Sequence, residues 1–255
     1  MKDYGLLRED SLQSSVDSEQ LKALSEYIRR SPGEDITKFD TFPKYVQRGT
    51  LGRFLARYEI FKLQLNVVGS ILDLGVSRGA SLFTWAQLSA MFEPVNYTRE
   101  IIGFDTFEGV AELDEKDKAE GSKLLSERGF KTEDSTYEDI QEAIKVFDIN
   151  RPLNHIKKIH LVKGDAEKTL VEFLKENPHL VISLLHLDMD VYRPTRVALE
   201  LLRDRIPKGG IMLFDELNTR VYPGETVAVM ETVGIGNLRL KRFPWATTLS
   251  YAIVE

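Results

Sequence analysis

Five short apolar runs, SILDLG, REIIGFD, HLVKGD, VISLLHLD and GGIMLFDE, recur between Ser70 and Glu216, and four of the five end on an acidic residue. Runs of Ile, Leu and Val without polar alternation are strands buried on both faces. Separated by helical stretches such as SLFTWAQLSAMF and PTRVALELLRDRI, they predict a parallel sheet covered by helices on each side. PGETVAVMETVG reads as a further helix, and the closely spaced LRLKRFP and LSYAIVE read as a closing antiparallel hairpin. The expected fold is therefore α/β, a doubly wound sheet of seven strands with the last strand antiparallel.

In such sheets ligands bind beyond the carboxyl ends of the strands. Asp105, Asp165, Asp188, Asp190, Asp215 and Glu216 all fall there. The rest of the chain divides by texture. EQLKALSEYIRR and LGRFLARYEIFKLQL carry apolar residues three and four apart with SPGED between them, predicting an N-terminal helical appendage over residues 1–65 ahead of the sheet domain, 66–255. Residues 108–158 are charge-rich and include the helical-looking TYEDIQEAIKVF, too long a stretch for an ordinary connection, and read as a lid or substrate-recognition insert.

Composition removes several function classes. Acidic residues outnumber basic ones, 40 to 34, giving a net charge of −6, so no overall field draws the chain to nucleic acid or anionic lipid. There is no cysteine, which excludes disulfides, thiolate metal sites and cysteine nucleophiles together. With four histidines, any metal must rest on carboxylates, which suits hard cations. No stretch is long and apolar enough for a membrane span and the start lacks a secretory pattern, so a cytoplasmic protein is expected.

ILDLGVSRGAS reads as a strand, a turn holding Gly75 and Gly79, and a helix beginning near Ser81, a geometry that lets backbone and helix N-terminal amides approach a ligand. One such turn alone also fits a dinucleotide fingerprint or a plain tight connection. Three features favour S-adenosylmethionine over a nicotinamide dinucleotide. Asp73, two before Gly75, would repel a pyrophosphate but suits the cationic methionine end. Asp105 closes the next strand, where an acid can grip both ribose hydroxyls. Asp165, after the third, is placed to accept from an adenine amino group, or equally to cap a helix.

In HLDMDVYRP, strand alternation puts Asp188 and Asp190 on one side, with His186 behind them, and the pair Asp215-Glu216 ends the following strand. Carboxylates crowded in this way favour a bound divalent cation. The competing readings are an ordinary salt-bridge network through Arg193, Arg196 or Arg220, and for His186 a satisfied core histidine.

These phrases, with GFDTFEG, HLDMDVYRPTRVALELL and the YPGETVAV that follows GGIMLFDE, resemble the macrocin-type O-methyltransferases that methylate sugars in macrolide and aminocoumarin biosynthesis, from about Phe54 to Gly234. The resemblance implies a magnesium-dependent class I methyltransferase, Rossmann-like in fold and often oligomeric. It makes Asp188, Asp215 and Glu216 the metal ligands, Asp190 the general base and Asp105 the ribose ligand. His186 competes with Asp190 as base, because an unperturbed imidazole titrates near ~6.5 and an aspartate near ~3.9.

The reading is thus O-methylation of a small polar acceptor, a nucleotide-linked or glycosidic sugar, by an enzyme that could be a homo-oligomer such as a dimer. A phenolic or catechol hydroxyl, or an amine, is the nearest alternative acceptor. An NAD(P)-dependent oxidoreductase and a non-catalytic nucleotide-binding protein are more distant ones. Arg53, Arg57 and Tyr58 are candidates to face the acceptor, although at helical spacing they also fit a solvated or packing face.

Overall fold

The structure, a computed structural model, describes residues 14–110, 112–119, 122–126 and 128–255. Five parallel strands, β1 (Ser70–Leu74), β2 (Ile101–Asp105), β3 (Ile159–Lys163), β4 (Ile182–Leu187) and β5 (Ile211–Phe214), coincide with the five apolar runs. With β6 (Lys241–Phe243) and β7 (Ala246–Ile253) they form one sheet of order β3-β2-β1-β4-β5-β7-β6, in which β7 runs antiparallel to both β5 and β6. The closing hairpin and antiparallel last strand are as the sequence predicts.

Alternate residues of each strand feed two cores. Ile71, Ile101, Leu184 and Leu213 meet α3 (Arg48–Gln64), α4 (Ala80–Phe92) and α5 (Thr136–Asp148) on one face. Leu72, Ile102, Leu185 and Met212 meet α6 (Ala166–Glu176), α7 (Tyr192–Leu202) and α8 (Pro223–Thr232) on the other. Each of the five parallel strands is joined to the next in sequence by a helical crossover that covers the sheet, which is why strands without polar alternation are stable here.

The N-terminal helices have different weights. α1 (Ser15–Arg30) opens on a capping box at Ser14 and Asp17, and none of its residues is buried. It is tied down by Tyr27, whose ring stacks on Tyr45 at 5.7 Å, and by a 2.7 Å bond between the Ser31 and Tyr45 hydroxyls. The short α2 (Asp35–Asp40) follows. By contrast α3 buries Ala56, Ile60 and Phe61 against the sheet and is a structural part of it. No helix among the described residues is long and apolar enough to cross a membrane.

The expected insert resolves into two parts of different kind. α5 is the β2-to-β3 crossover helix, and its Ile140 is buried in the core, so the apolar period of TYEDIQEAIKVF is explained by packing. In the stretch ahead of α5 the buried Asp117 accepts the Tyr192 N–H at 2.7 Å.

The turn after β1 shows why its glycines are needed. Gly75 has φ +97°, and a Cβ there would lie 1.8 Å from the Asp188 carbonyl oxygen. The turn is therefore seated directly on the end of β4, an approach closed to any side chain. Gly79 caps the N-terminus of α4 at φ +87°, and its added Cβ would meet Phe83 and Ile140. Its glycine serves the left-handed cap and the α4–α5 packing. Gly75→Ala should destabilise the protein by about 2–4 kcal/mol, from backbone strain plus the overlap with Asp188, measured by urea denaturation. A loss under about 0.5 kcal/mol would show that the turn can lift from β4 at little cost.

Candidate active site

The parallel register of β1 and β4 sets Asp73 beside His186. Both are fully buried, and Asp73 spends its two oxygens on the protein: Oδ1 lies 2.5 Å from His186 Nδ1, and Oδ2 accepts from the Ser81 hydroxyl at 2.7 Å. Asp73 thus sits behind the glycine turn and does not line the cavity, whereas the sequence reading set it against the cofactor. Ser81 does border the cavity, at the start of α4. Trp85 packs edge-on to the imidazole at 5.8 Å. The ring is fixed so that the buried Nε2, which has no hydrogen-bond partner, lies 4.0 Å from Asp188 Oδ2.

A cavity of 1210 Å³ opens over the carboxyl ends of the strands. Its wall includes Gly75, Asp105 and Asp165 on the β1–β3 side and Asp188, Asp190, Asp215 and Glu216 on the β4–β5 side. Gly79 is set back from it. Asp105 receives the backbone N–H groups of Ser77 and Phe107, each at 2.7 Å, which hold the carboxylate at the end of β2; burial pushes its pKa up. Asp165 accepts from the Glu167 N–H at 3.0 Å as the N-cap of α6 while also facing the cavity, so both readings of it have a structural counterpart.

The acids at β4 and β5 meet as the alternation required. One ligand atom each from His186, Asp188 and Asp215 fall within 4.8 Å of one another, a convergence able to hold a cation. Glu216 is next to Asp215 on the cavity wall but outside that group of three. Asp190, at φ +63°, is a non-glycine residue in the left-handed region, a conformation that stores local strain and recurs at functional sites. The cation that neutralises this edge comes from neither Arg193 nor Arg196, which pair with Glu112 and Glu200 at 2.8 Å. It is Arg53 of α3, 2.5 Å from Asp215 Oδ1 and 3.9 Å from Asp188 Oδ2. Arg57, one turn further on, also lines the cavity, while Tyr58 packs at a tilt against Phe92 and beneath Lys62.

The electrostatics follow from this crowding. Burial works against ionisation of Asp215, but Arg53, His186 and Arg57 outweigh it and its pKa falls. Asp188 is pushed up to about 7, by burial and then by Asp215. Glu216 rises to about 9 for the same two reasons. Asp190 rises well above the carboxylate range through burial and the neighbouring Asp188 and Glu216. A fifth acid, Glu225 at the start of α8, went unnoticed in the sequence; fully buried and likewise shifted up by burial, it accepts the Glu216 N–H at 3.0 Å and leaves Oε2 without a partner. Its signal was an acid in the first turn after Pro223, which looks like ordinary helix charge complementarity.

The family model for macrocin O-methyltransferase matches residues 55–230. The chain belongs to that family. It is an S-adenosylmethionine-dependent methyltransferase. A crystal structure of a calicheamicin methyltransferase, CalS11, superposes with a TM-score of 0.90 at 28% identity, covering 94% of this chain and 93% of that one. An apo structure described as the TDP-rhamnose 3'-O-methyltransferase CalS11 of calicheamicin biosynthesis superposes at 0.82, with 28% identity and 94% and 95% covered. The O-methyltransferase NovP shares the fold, at TM-score 0.60, 17% identity and 80% of each chain. No curated protein matches the chain in sequence.

The raised carboxyl groups make this methyltransferase's stability pH-dependent. The folded protein keeps protons on Asp188 to about 7 and on Glu216 to about 9, while the unfolded chain sheds them near 3.8 and 4.5. Across that window the native state binds more protons, so stability falls as pH rises. Asp215, shifted the other way, acts only below its ordinary range. In chelator-treated protein, denaturation midpoints should fall from pH 5 towards pH 9, a range that spans about 7 and about 9, and Asp188→Asn with Glu216→Gln should flatten the slope. A slope unchanged by the double substitution would mean that these acids are not the source.

Proposed function

We propose that the chain is a divalent-cation-dependent O-methyltransferase acting on a hydroxyl of a nucleotide-linked or glycosidic sugar in natural-product or surface-glycan biosynthesis. The observation that carries the reading is that the carboxylate edge of β4 and β5 opens into the same cavity as the Gly75 turn and Asp105. A methyl donor and an acid-held acceptor would then meet in one space. The sugar acceptor is supported by family membership and by the relative named as a TDP-rhamnose 3'-O-methyltransferase.

In this reading Asp105 holds the ribose and Asp165 lies towards the adenine, which brings the sulfonium end over Gly75 and β4. Asp188, Asp215 and Glu216 would hold the cation, magnesium by preference for an oxygen-rich set. The fit rests on two features of the chain: converging ligand atoms on Asp188 and Asp215, and a buried His186 Nε2 left without a partner at their side. Such a cation supplies positive charge that orients the acceptor and acidifies the attacked hydroxyl.

Asp190 is the proposed base. Its carboxyl lies beside Asp188 on the cavity wall, and burial with the neighbouring Asp188 and Glu216 raises its pKa, which makes its ionised form a stronger base than an ordinary aspartate. Asp190 would accept the hydroxyl proton as the acceptor oxygen takes the methyl group and the S–CH₃ electron pair stays with sulfur. His186, with Nδ1 committed to Asp73, orients the cluster from beneath.

The test is turnover of S-adenosylmethionine with a panel of nucleotide deoxysugars, glycosides and catechols, before and after exhaustive chelation, with the product located by NMR. Activity on sugars, lost on chelation and restored by magnesium, is expected. Asp190→Asn should lose roughly 10²–10⁴-fold in kcat while binding cofactor normally, with His186→Gln affected less. Full activity after chelation would sink the cation. Preference for catechols would sink the acceptor, and a severe loss in His186→Gln alone would move the base to the histidine.

A further inference from the structure

Most cations around the cavity have an acidic partner. Arg53 pairs with Asp215 at 2.5 Å, Arg78 with Glu133 at 2.8 Å, and Arg193 with Glu112 at 2.8 Å. Arg57 differs. Its side chain is 6% exposed, its Nε has no hydrogen-bond partner, and no ion pair to its guanidinium is found among the described residues. A buried guanidinium nitrogen without a hydrogen bond is costly, because its N–H donor has left water for nothing. Burial and the neighbouring Arg53 accordingly make this guanidinium less basic than usual. The position is nevertheless enforced, since α3 is locked to the sheet by Ile60 and Phe61 on either side of the next turn.

Thr50, Arg53 and Arg57 line the cavity from one helix, at spacings of three and four, so the row is a single face of α3 turned to the ligand space. Within that row Arg57 is farthest along the helix, and the acids acting on it at a distance are Asp215, Asp188 and Asp73. Asp73 immediately underlies the Gly75 turn through Ser81. Arg57 therefore faces the junction of β1 and β4.

That junction is where the cofactor's amino-acid end falls when its ribose is on Asp105 and its sulfonium is near Asp190. This end carries an ammonium and a sulfonium, both suited to the acidic edge, and one carboxylate, which the same edge repels. A cation is needed for that carboxylate alone. An unpartnered guanidinium, with its flat fork of donors, is the side chain best matched to it.

We propose that Arg57 is a cofactor-binding residue whose guanidinium holds the α-carboxylate of S-adenosylmethionine, so that α3 of the N-terminal region forms part of the cofactor site. The inference rests on the cofactor placement proposed above. A phosphate of a nucleotide-linked acceptor would offer similar oxyanion chemistry, and the test separates the two sources.

Calorimetry would compare S-adenosylhomocysteine with its decarboxylated analogue, which lacks only the carboxylate, on the wild-type chain, Arg57→Met and Arg57→Lys. The same proteins would be titrated with a nucleotide deoxysugar. The wild type should bind the decarboxylated analogue roughly tenfold or more weakly, as expected for a lost charge-assisted contact. Arg57→Met should bind both ligands alike, within about threefold, at the weaker level, and Arg57→Lys should fall between, with sugar-nucleotide affinity unchanged in each. Thermal melts establish that each variant is folded; should the methionine variant not fold, the lysine variant carries the comparison. Retained discrimination in a folded Arg57→Met overturns the inference, as does equal wild-type affinity for the two ligands. Loss of sugar-nucleotide affinity with discrimination intact overturns it in favour of phosphate. If the wild type does not bind S-adenosylhomocysteine at all, the cofactor placement itself fails and the inference falls with it.

Discussion

The contact between Asp73 and His186 organises the carboxyl edge of this sheet. It exists because β1 and β4 pair in parallel with these two residues in register, and because both point to the face covered by α3 and α4. A carboxylate with no solvent exposure is tolerable only if its lone pairs are used, and the imidazole and the Ser81 hydroxyl use them. Three elements are bound together as a result: the strand before the glycine turn, the helix after it, and the strand carrying Asp188. The turn itself closes the arrangement, since Gly75 lies against the Asp188 carbonyl and the Asp188 N–H donates to Leu74 O at 2.8 Å. The glycine turn and the acid cluster are thereby joined.

Above that unit the chain concentrates more negative charge than it neutralises. Asp188, Asp190, Asp215, Glu216 and Glu225 lie together, and the close guanidinium partner is Arg53. Without a further cation, Asp215 stays ionised against Arg53 while Asp188 and Glu216 hold protons. Like charges at such range cannot all ionise in a partly dry cavity. Protons and a divalent cation are then alternative ways of relieving the same repulsion, and the second leaves the carboxylates ionised for chemistry. Arg53 shares Asp188 and Asp215 with the proposed cation, so it must shift or be shared when that cation binds.

Much of this edge was legible in the sequence because its determinants are local. Apolar runs without alternation can be satisfied only inside a doubly covered sheet, and acids placed at their ends must gather where ligands bind. Asp188, Asp190, Asp215 and Glu216 were found in that way. What the sequence hid depends on register or on helix placement. Asp73 reads as a cofactor residue until its pairing with His186 is seen, and Gly79 reads as a ligand-facing glycine until Phe83 and Ile140 are seen beneath it. TYEDIQEAIKVF has the apolar period of any helix, and only Ile140 in the core distinguishes a crossover from a lid. The neutralising arginine is not legible near the acids in sequence, because Arg53 reaches Asp215 from 162 positions away.

In the proposed function a divalent cation takes the place of protons on the Asp188–Glu216 cluster. Calorimetric titration of magnesium or manganese into chelator-treated protein at neutral pH, repeated in buffers of different ionisation enthalpy, counts the ions bound and the protons released. One ion per chain is predicted, with release of about one proton or more, since Asp188 and Glu216 begin at about 7 and 9. Absence of binding, or binding with no proton release, would contradict the account.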